Sequence, residues 1–324
     1  MKYALTTDVV RAAANTTGSG TNGGTDVTVT VMVTGTATES VAGNISTLTL
    51  DRGSVTVVGP SGFKLQLNGN LLTLNKGYRL KGFKITSGDP GGSGTKAAAI
   101  KLAGVGTSLE NMKIDCEGLG NNGTPFTNLG DRCIEVTALT LGGTILLQGL
   151  EVKIKGDKNY TAAIVHAGNN TTLEVVGSTI QSTGSGGQGV VGVLGGASAG
   201  PVIVQSSTVD LESINSGTNS EPSIAVLLNV GGSKVLGPGS QIKLNGGQGN
   251  SPPTNKEGAI GIKASHSSGT VSVDGTTFST GTHTVGIGIK NAGTGTLSLG
   301  TNTFPPLSGS CSTTNPCLNV KVSP

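Results

Sequence analysis

The densest group of polar side chains in the sequence lies between positions 115 and 135, where Asp115, Glu117, Asp131, Arg132 and Glu135 stand beside Cys116 and Cys133. Carboxylates in this number have three chemical uses. Their oxygens can hold calcium. Two of them can serve as acid and as nucleophile or base on a glycosidic bond. Holding calcium, they can also work beside an Arg or Lys that removes a proton, or the group can contact a sugar. Against these stands a local ion pair, Asp131 with Arg132, that orders a loop next to a disulfide. The expectation is a ligand or calcium contact at these five residues, with no residue assigned a catalytic role and no cofactor other than calcium. Zinc is not expected, because no C-x-x-C occurs and His166, His266 and His283 are far apart in sequence.

Composition restricts what could position that group. Of 324 residues, 55 are Gly, 43 Thr, 31 Ser and 23 Asn. Aromatics are 2% and charged residues 12%, about half the usual charged share of a globular domain. No apolar run reaches the roughly 20 residues of a membrane-spanning helix, and no Lys or Arg block suggests nucleic acid. Neither membrane insertion nor a nucleic-acid partner is expected. A hydrophobic share of 34% with a net charge of +3 does not describe a chain that stays open by self-repulsion. What remains is an all-β protein of many short strands and turns.

A repeat supplies the strands. A small or Gly residue is followed three positions later by a bulky apolar one at Gly82 and Ile85, Asn111 and Ile114, Gly149 and Val152, Gly177 and Ile180, Ser206 and Val209, Gly239 and Ile242, Gly275 and Phe278, and Thr301 and Phe304. A second column reads small, apolar, any, apolar: Ala99 to Leu102, Cys133 to Val136, Ala163 to His166, Ser223 to Val226, Ala259 to Ile262, Gly286 to Ile289 and Cys317 to Val320, with Gly189 to Gly192 in the remaining slot. A third short strand opens each unit, as in Val271-Ser272-Val273 and Leu297-Ser298-Leu299. Units of about 30 residues with two or three period-two strands stack as rungs, each strand pairing with its copies at the roughly 4.8 Å strand spacing. The expected fold is a parallel β-helix of about ten rungs. The right-handed form is the commoner kind.

Residues Thr7-Asp8-Val9-Val10-Arg11-Ala12-Ala13-Ala14 read as a short amphipathic helix before the strand Val27-Thr28-Val29-Thr30-Val31, and Ser54-Val55-Thr56-Val57-Val58-Gly59 reads as a rung leading into the regular stack. In this layout the chain resembles the pectin-lyase-like right-handed parallel β-helix superfamily, and its opening is similar to uncharacterised secreted or surface members of it. The resemblance implies the fold and an extracellular or cell-surface setting. Many members of that superfamily cleave acidic polysaccharides, but the N-T-D, D-D and G-H-G motifs of its polygalacturonase-type enzymes are absent here. Sugar-stacking aromatics are scarce, with Tyr3, Tyr78 and Tyr160 the only Tyr. The expected organisation is a cap and first connection over 1–26 and a single β-helix domain over 27–324. The helix would cover the apolar interior and open edges that a solenoid leaves at its end.

Segments of variable length fall in one slot of every unit, between the first column and the second, and so on one side of the rod. The four cysteines bracket two of them, and local pairs Cys116 with Cys133 and Cys311 with Cys317 are the economical assignment, which points to an oxidising compartment. Met1-Lys2-Tyr3-Ala4-Leu5 is too short for a cleavable leader, so a processed start is expected. His166 stands in an apolar slot of the second column and is expected to be a satisfied, inward-facing histidine. The outward residues of that column, Lys101, Glu135, Val165, Val191, Ala225, Gly261 and Gly288, read as a flat, weakly apolar stripe that lies under the inserts or meets another copy. The expected function is a non-catalytic extracellular or surface β-helix for adhesion, glycan contact or assembly into a layer or fibre. Its expected partners are a glycan or surface polymer, or a second copy meeting the last rung or the lateral stripe. The alternative is a glycan-degrading lyase or hydrolase, a phage-spike-like enzyme included, working through the cluster from Asp115 to Glu135.

Overall fold

A computed structural model describes residues 29–32, 36–38, 47–50, 55–58, 64–67, 71–74, 78–87, 98–117, 132–137, 142–156, 161–185, 190–214, 223–245, 259–280, 286–304 and 319–322. The expected cap over 1–26, Asp131 and the pair Cys311 with Cys317 lie outside these residues. The described chain is all-β and forms three sheets of 10, 9 and 10 strands. It visits them in fixed order, beginning with Val29–Met32 in the first sheet, Thr36–Thr38 in the second and Thr47–Leu50 in the third, and then repeating. Each strand pairs in parallel with the strand one turn earlier and one turn later, as Lys113–Glu117 pairs with Lys84–Ser87 and with Glu151–Gly156. The molecule is a parallel β-solenoid.

The first sequence column is one physical column. Ile85, Ile114, Val152, Ile180, Val209, Ile242 and Phe278 are consecutive register partners in the second sheet, each at most 2% exposed. Phe304 continues it by stacking on Phe278, with ring centroids 4.7 Å apart. The small residues three positions earlier turn the corner out of the first sheet. Gly82, Asn111, Gly149, Gly177, Ser206, Gly239 and Gly275 all have φ between 49° and 92°, the left-handed region where a Cβ is costly. Gly149 has a second reason to lack one, since a Cβ there would sit 2.3 Å from Oδ1 of Asn111.

The residue after each corner faces inward, and in the later turns it is polar. Ser178, Ser207, Ser240 and Thr276 are buried. Oγ of Ser178 accepts the Leu150 amide at 3.1 Å, and Oγ of Ser207 accepts the Ser178 amide at 3.0 Å while donating to the Gln205 carbonyl at 2.8 Å. Asn302 repeats the arrangement, taking the Thr276 amide at 3.1 Å. Ser178, Ser207 and Asn302 thus each satisfy a backbone donor of the preceding turn at the bend.

The third sheet departs from simple alternation. Its ladder runs Arg132 to Ala162 and then Ile134 to Ile164, passing over Cys133 and Ala163. It likewise passes over Gly192 and Ala225. Two successive residues, Ala163 and Ile164, join the main core, while Ala162 and Val165 belong to a separate apolar cluster with Val191, Leu194, Ile224, Leu227 and Ile260 on the opposite face. The passed-over position takes a small side chain because the bend is crowded. A Cβ on Gly192 would meet the Ala225 carbonyl oxygen at 2.5 Å, and one on Gly261 would meet the Gly288 oxygen at 2.5 Å and the Phe278 ring at 2.9 Å.

This corrects the second sequence column. Ala99, Cys133 and Ala163 occupy the small slot as expected, but in the next turns Gly192, Ala225, Gly261 and Gly288 fill it, in place of Gly189, Ser223, Ala259 and Gly286. Val193, Val226, Ile262 and Ile289 are the successive register partners of Ile164. Ala225, Gly261 and Gly288 therefore stand at the inward bend position, and the other face carries Ile224, Leu227, Ile260 and Ile287. A strict two-residue period cannot register a bend that turns two neighbours the same way. The stripe on that face is also covered: Val165, Val191, Leu194, Ile224, Leu227 and Ile260 are at most 3% exposed.

Candidate functional site

The disulfide Cys116–Cys133 is present, spanning 17 positions with both residues buried. It ties strand Lys113–Glu117 of the second sheet to strand Arg132–Val136 of the third, and its two cysteines are members of the core cluster. The polar residues next to them divide between two sheets. Asp115 stands on the outer face of the second sheet, ion-paired with Lys84 across one turn. Arg132 and Glu135 stand on the outer face of the third, ion-paired with each other and with side chains only 16% and 12% exposed. The Arg132 Nε is buried without a partner. Among the described residues no hydrogen bond or ion pair joins Asp115 to Arg132 or Glu135. Asp131 and the side chain of Glu117 lie outside those residues. Among the described residues no group of three or more His, Cys, Asp or Glu is gathered so as to hold a metal ion.

His166 is fully buried and its Nε2–H donates to the Thr171 carbonyl at 2.8 Å. Burial depresses its pKa below the ordinary 6.5, the hydrogen bond to Thr171 opposing this only in part. His266 is placed similarly, its Nε2 2.9 Å from the Thr296 carbonyl oxygen, with room made by Gly295, where a Cβ would fall 2.2 Å from the ring. Both histidines serve the interior of the rod rather than a surface site.

The arrangement with most surface chemistry is the outer face of the second sheet. Period-two alternation places the residues on either side of each column member there. One outward row reads Lys84, Lys113, Glu151, Thr179, Thr208, Gln241, Thr277, and the other Thr86, Asp115, Lys153, Gln181, Asp210, Lys243, Ser279. Glu151 is held between two ammonium groups, Lys113 at 2.8 Å and Lys153 at 3.2 Å. Hydrogen bonds from Lys113 and Lys153 pull its carboxyl below the usual carboxylate range, and the same contact raises the pKa of Lys113. A shallow groove of about 470 Å³ runs beside these residues, between Lys113, Glu151 and Lys153 and the corner glycines Gly149 and Gly177, and reaches Gln181 and Asp210.

Lysine heads beside an ionised Glu151, with hydroxyl and amide side chains at each strand spacing, can hydrogen-bond and ion-pair with a ligand along several turns. Glu151, kept ionised, is unsuited to general-acid work near neutral pH. The charged groove residues Lys113, Glu151 and Lys153 are not among the candidate site residues read from the sequence. The signal that finds them is simple: they are the immediate neighbours of Ile85, Ile114, Val152, Ile180, Val209, Ile242 and Phe278.

No helix among the described residues is long and apolar enough to cross a membrane. No protein-family model matches the chain, and no curated protein or solved structure matches it either.

Proposed function

We propose that the protein is a non-catalytic β-helix of the pectin-lyase-like right-handed kind that works outside the cell or at its surface and contacts a polymeric glycan along the outer face of its second sheet. The observation that carries this reading is the pair of polar rows beside the groove, repeated turn after turn at strand spacing. A linear polymer with repeating hydroxyl or acidic groups can engage such rows at several points, and weak contacts then combine through effective concentration. The pairing of Asp115 with Lys84, Glu135 with Arg132 and Glu151 with two lysines supports binding over turnover, because each carboxylate is committed to a cation. The Cys116–Cys133 disulfide supports an oxidising compartment.

The test is affinity electrophoresis of the wild type and of a Lys113→Glu, Lys153→Glu variant in gels carrying neutral and acidic polysaccharides. Retardation of the wild type by at least one polymer, reduced several-fold in the variant, is the expected result. Migration unaffected by every polymer would remove the glycan reading. Release of sugar fragments by the wild type, lost in an Asp131→Ala, Arg132→Ala variant, would replace it with the catalytic one.

A further inference from the structure

On the outer face of the third sheet one register row continues from the apolar Val165, Leu194 and Leu227 into Lys263, Lys290 and Lys321. The apolar members are at most 3% exposed, whereas Lys263 and Lys290 are half-buried and reach the surface. Lysine therefore follows lysine over three successive turns. The row lies on the flank of the rod, where stacking a further turn extends it and does not cover it.

Several other lysines have a carboxylate at the same position of an adjacent turn. Lys81 is in register with Glu110, Lys101 with Glu135, Lys113 with Glu151 and Lys243 with Asp210. Lys84 stands between Lys64 and Lys113 in register but takes Asp115 as an ion-pair partner. In the row on the third sheet the register partners are Leu227 and the lysines themselves. These three are the only Lys or Arg between 259 and 324, where Asp274 is the one acidic residue, and Asp274 belongs to the first sheet. Like charges placed opposite one another at strand spacing repel. An anionic ligand lying along the row removes that cost.

We propose that this row binds a linear polymer joined by phosphodiesters and carrying no nucleobases, such as a polyol or sugar chain linked through phosphate. Neighbouring positions are roughly 4.8 Å apart and the outer two about 10 Å apart, more than one small anion can span, so a repeating chain of charges fits better. Lysine serves phosphate as a point charge, while the planar fork of arginine is the closer match to a carboxylate. The one arginine in the described strands of this sheet, Arg132, is held by Glu135. Single-stranded nucleic acids are held through bases stacked on aromatic rings, and the described strands of the third sheet contain no Phe or Tyr. The row is on a different sheet from the groove and acts whether or not the groove takes a glycan.

The experiment follows the fluorescence anisotropy of end-labelled poly(glycerol phosphate) titrated with the full chain to about 100 μM at low salt, which reaches weak affinities. The wild type is expected to bind and to release the polymer toward about 1 M salt, where screening shortens to about 3 Å. Lys290→Gln and Lys263→Gln are each expected to weaken binding about five-fold, the worth of one cation at an anionic surface, and Lys290→Arg to bind as the wild type does. Circular dichroism identifies the folded variants, and either glutamine variant suffices should the other fail to fold. A Lys113→Gln, Lys153→Gln variant, which removes two charges at the groove, is expected to bind the phosphate polymer as the wild type does. The proposal is overturned by a wild type that does not bind, or by binding that neither lysine-row variant weakens. It is also overturned if oligothymidylate binds as tightly, which makes the ligand a nucleic acid, or if dextran sulfate or polyglutamate at equal charge binds more tightly, which changes its chemistry. A loss in the groove variant as large as in the lysine-row variants would move the polymer to the groove.

Discussion

Gly149 and Gly177 occupy equivalent corners one turn apart, with φ of 62° and 57°, yet they differ in what a side chain would meet. A Cβ on Gly177 enters open space, whereas one on Gly149 strikes the Asn111 side chain. Gly177→Ala is therefore expected to cost only the left-handed penalty of about 1–2 kcal/mol, and Gly149→Ala more. In an Asn111→Gly background the excess should vanish, which urea unfolding of the wild type, the three single variants and the Asn111→Gly, Gly149→Ala double variant would show. His166 makes a prediction of another kind. Its folded-state pKa lies below the unfolded 6.5 because burial penalises the charged form, so the unfolded chain binds the proton more readily. Its contribution to stability is complete above about pH 6.5 and is lost as pH falls through that value toward the folded pKa. His166→Gln keeps a donor for Thr171 and does not titrate. Stability measured from pH 8 to pH 4 should fall less steeply in the variant; equal slopes would show that His166 contributes nothing to acid sensitivity.

Among the elements, the strands of the second sheet and those of the third differ in how far sequence describes them. The second sheet alternates strictly, so Ile114 faces in and Lys113 and Asp115 face out, as the pattern says. The third sheet bends between Arg132 and Ile134 and at the matching place from Ala98–Leu102 through Gly286–Asn291. Cys133 and Ile134 then share a face, and the two-residue slip at Ser223 and Ala259 follows from reading a bent strand as a straight one. The bend also explains the disulfide, because it turns Cys133 into the core where Cys116 already points. Replacing both cysteines with Ala is expected to lower stability by about 2–4 kcal/mol, as for other loops of this length. The check is guanidinium unfolding of wild type and variant side by side, with and without reductant. The wild type should respond more strongly to the reductant than the variant does, since it alone carries Cys116–Cys133.

At the scale of the whole molecule the rod is a one-dimensional stack, in which each turn is stabilised by the turns on either side. Position along the stack should then decide what a substitution costs. Ile180 has Val152 and Val209 as register partners and is fully buried, so Ile180→Ala is expected to cost about 2–5 kcal/mol. Among the described residues Leu299 has Val273 as its one register partner and is 41% exposed, so Leu299→Ala should cost well under half as much. Chemical denaturation of both variants at low protein concentration measures the contrast.

Composition and period were enough to specify a parallel β-solenoid, the inward column from Ile85 to Phe278, the corner residues and the pairing of Cys116 with Cys133. Each follows from local rules: alternation in a strand, positive φ at a sharp bend, and short closure between neighbouring cysteines. Tertiary structure alone decided the rest. The bend in the third sheet arises from packing against the neighbouring turns, so no single strand announces it. The side-chain oxygens of Ser178, Ser207 and Asn302 each take an amide of the preceding turn, a pairing that exists only once the turns are stacked. The candidate cluster from Asp115 to Glu135 is contiguous in sequence, yet Asp115 and Arg132 stand on different sheets and take Lys84 and Glu135 as partners. Lys113, Glu151 and Lys153, scattered over 41 positions, come together because register places residues one turn apart side by side. Sequence proximity governs what a strand can be, and stacking governs which side chains meet.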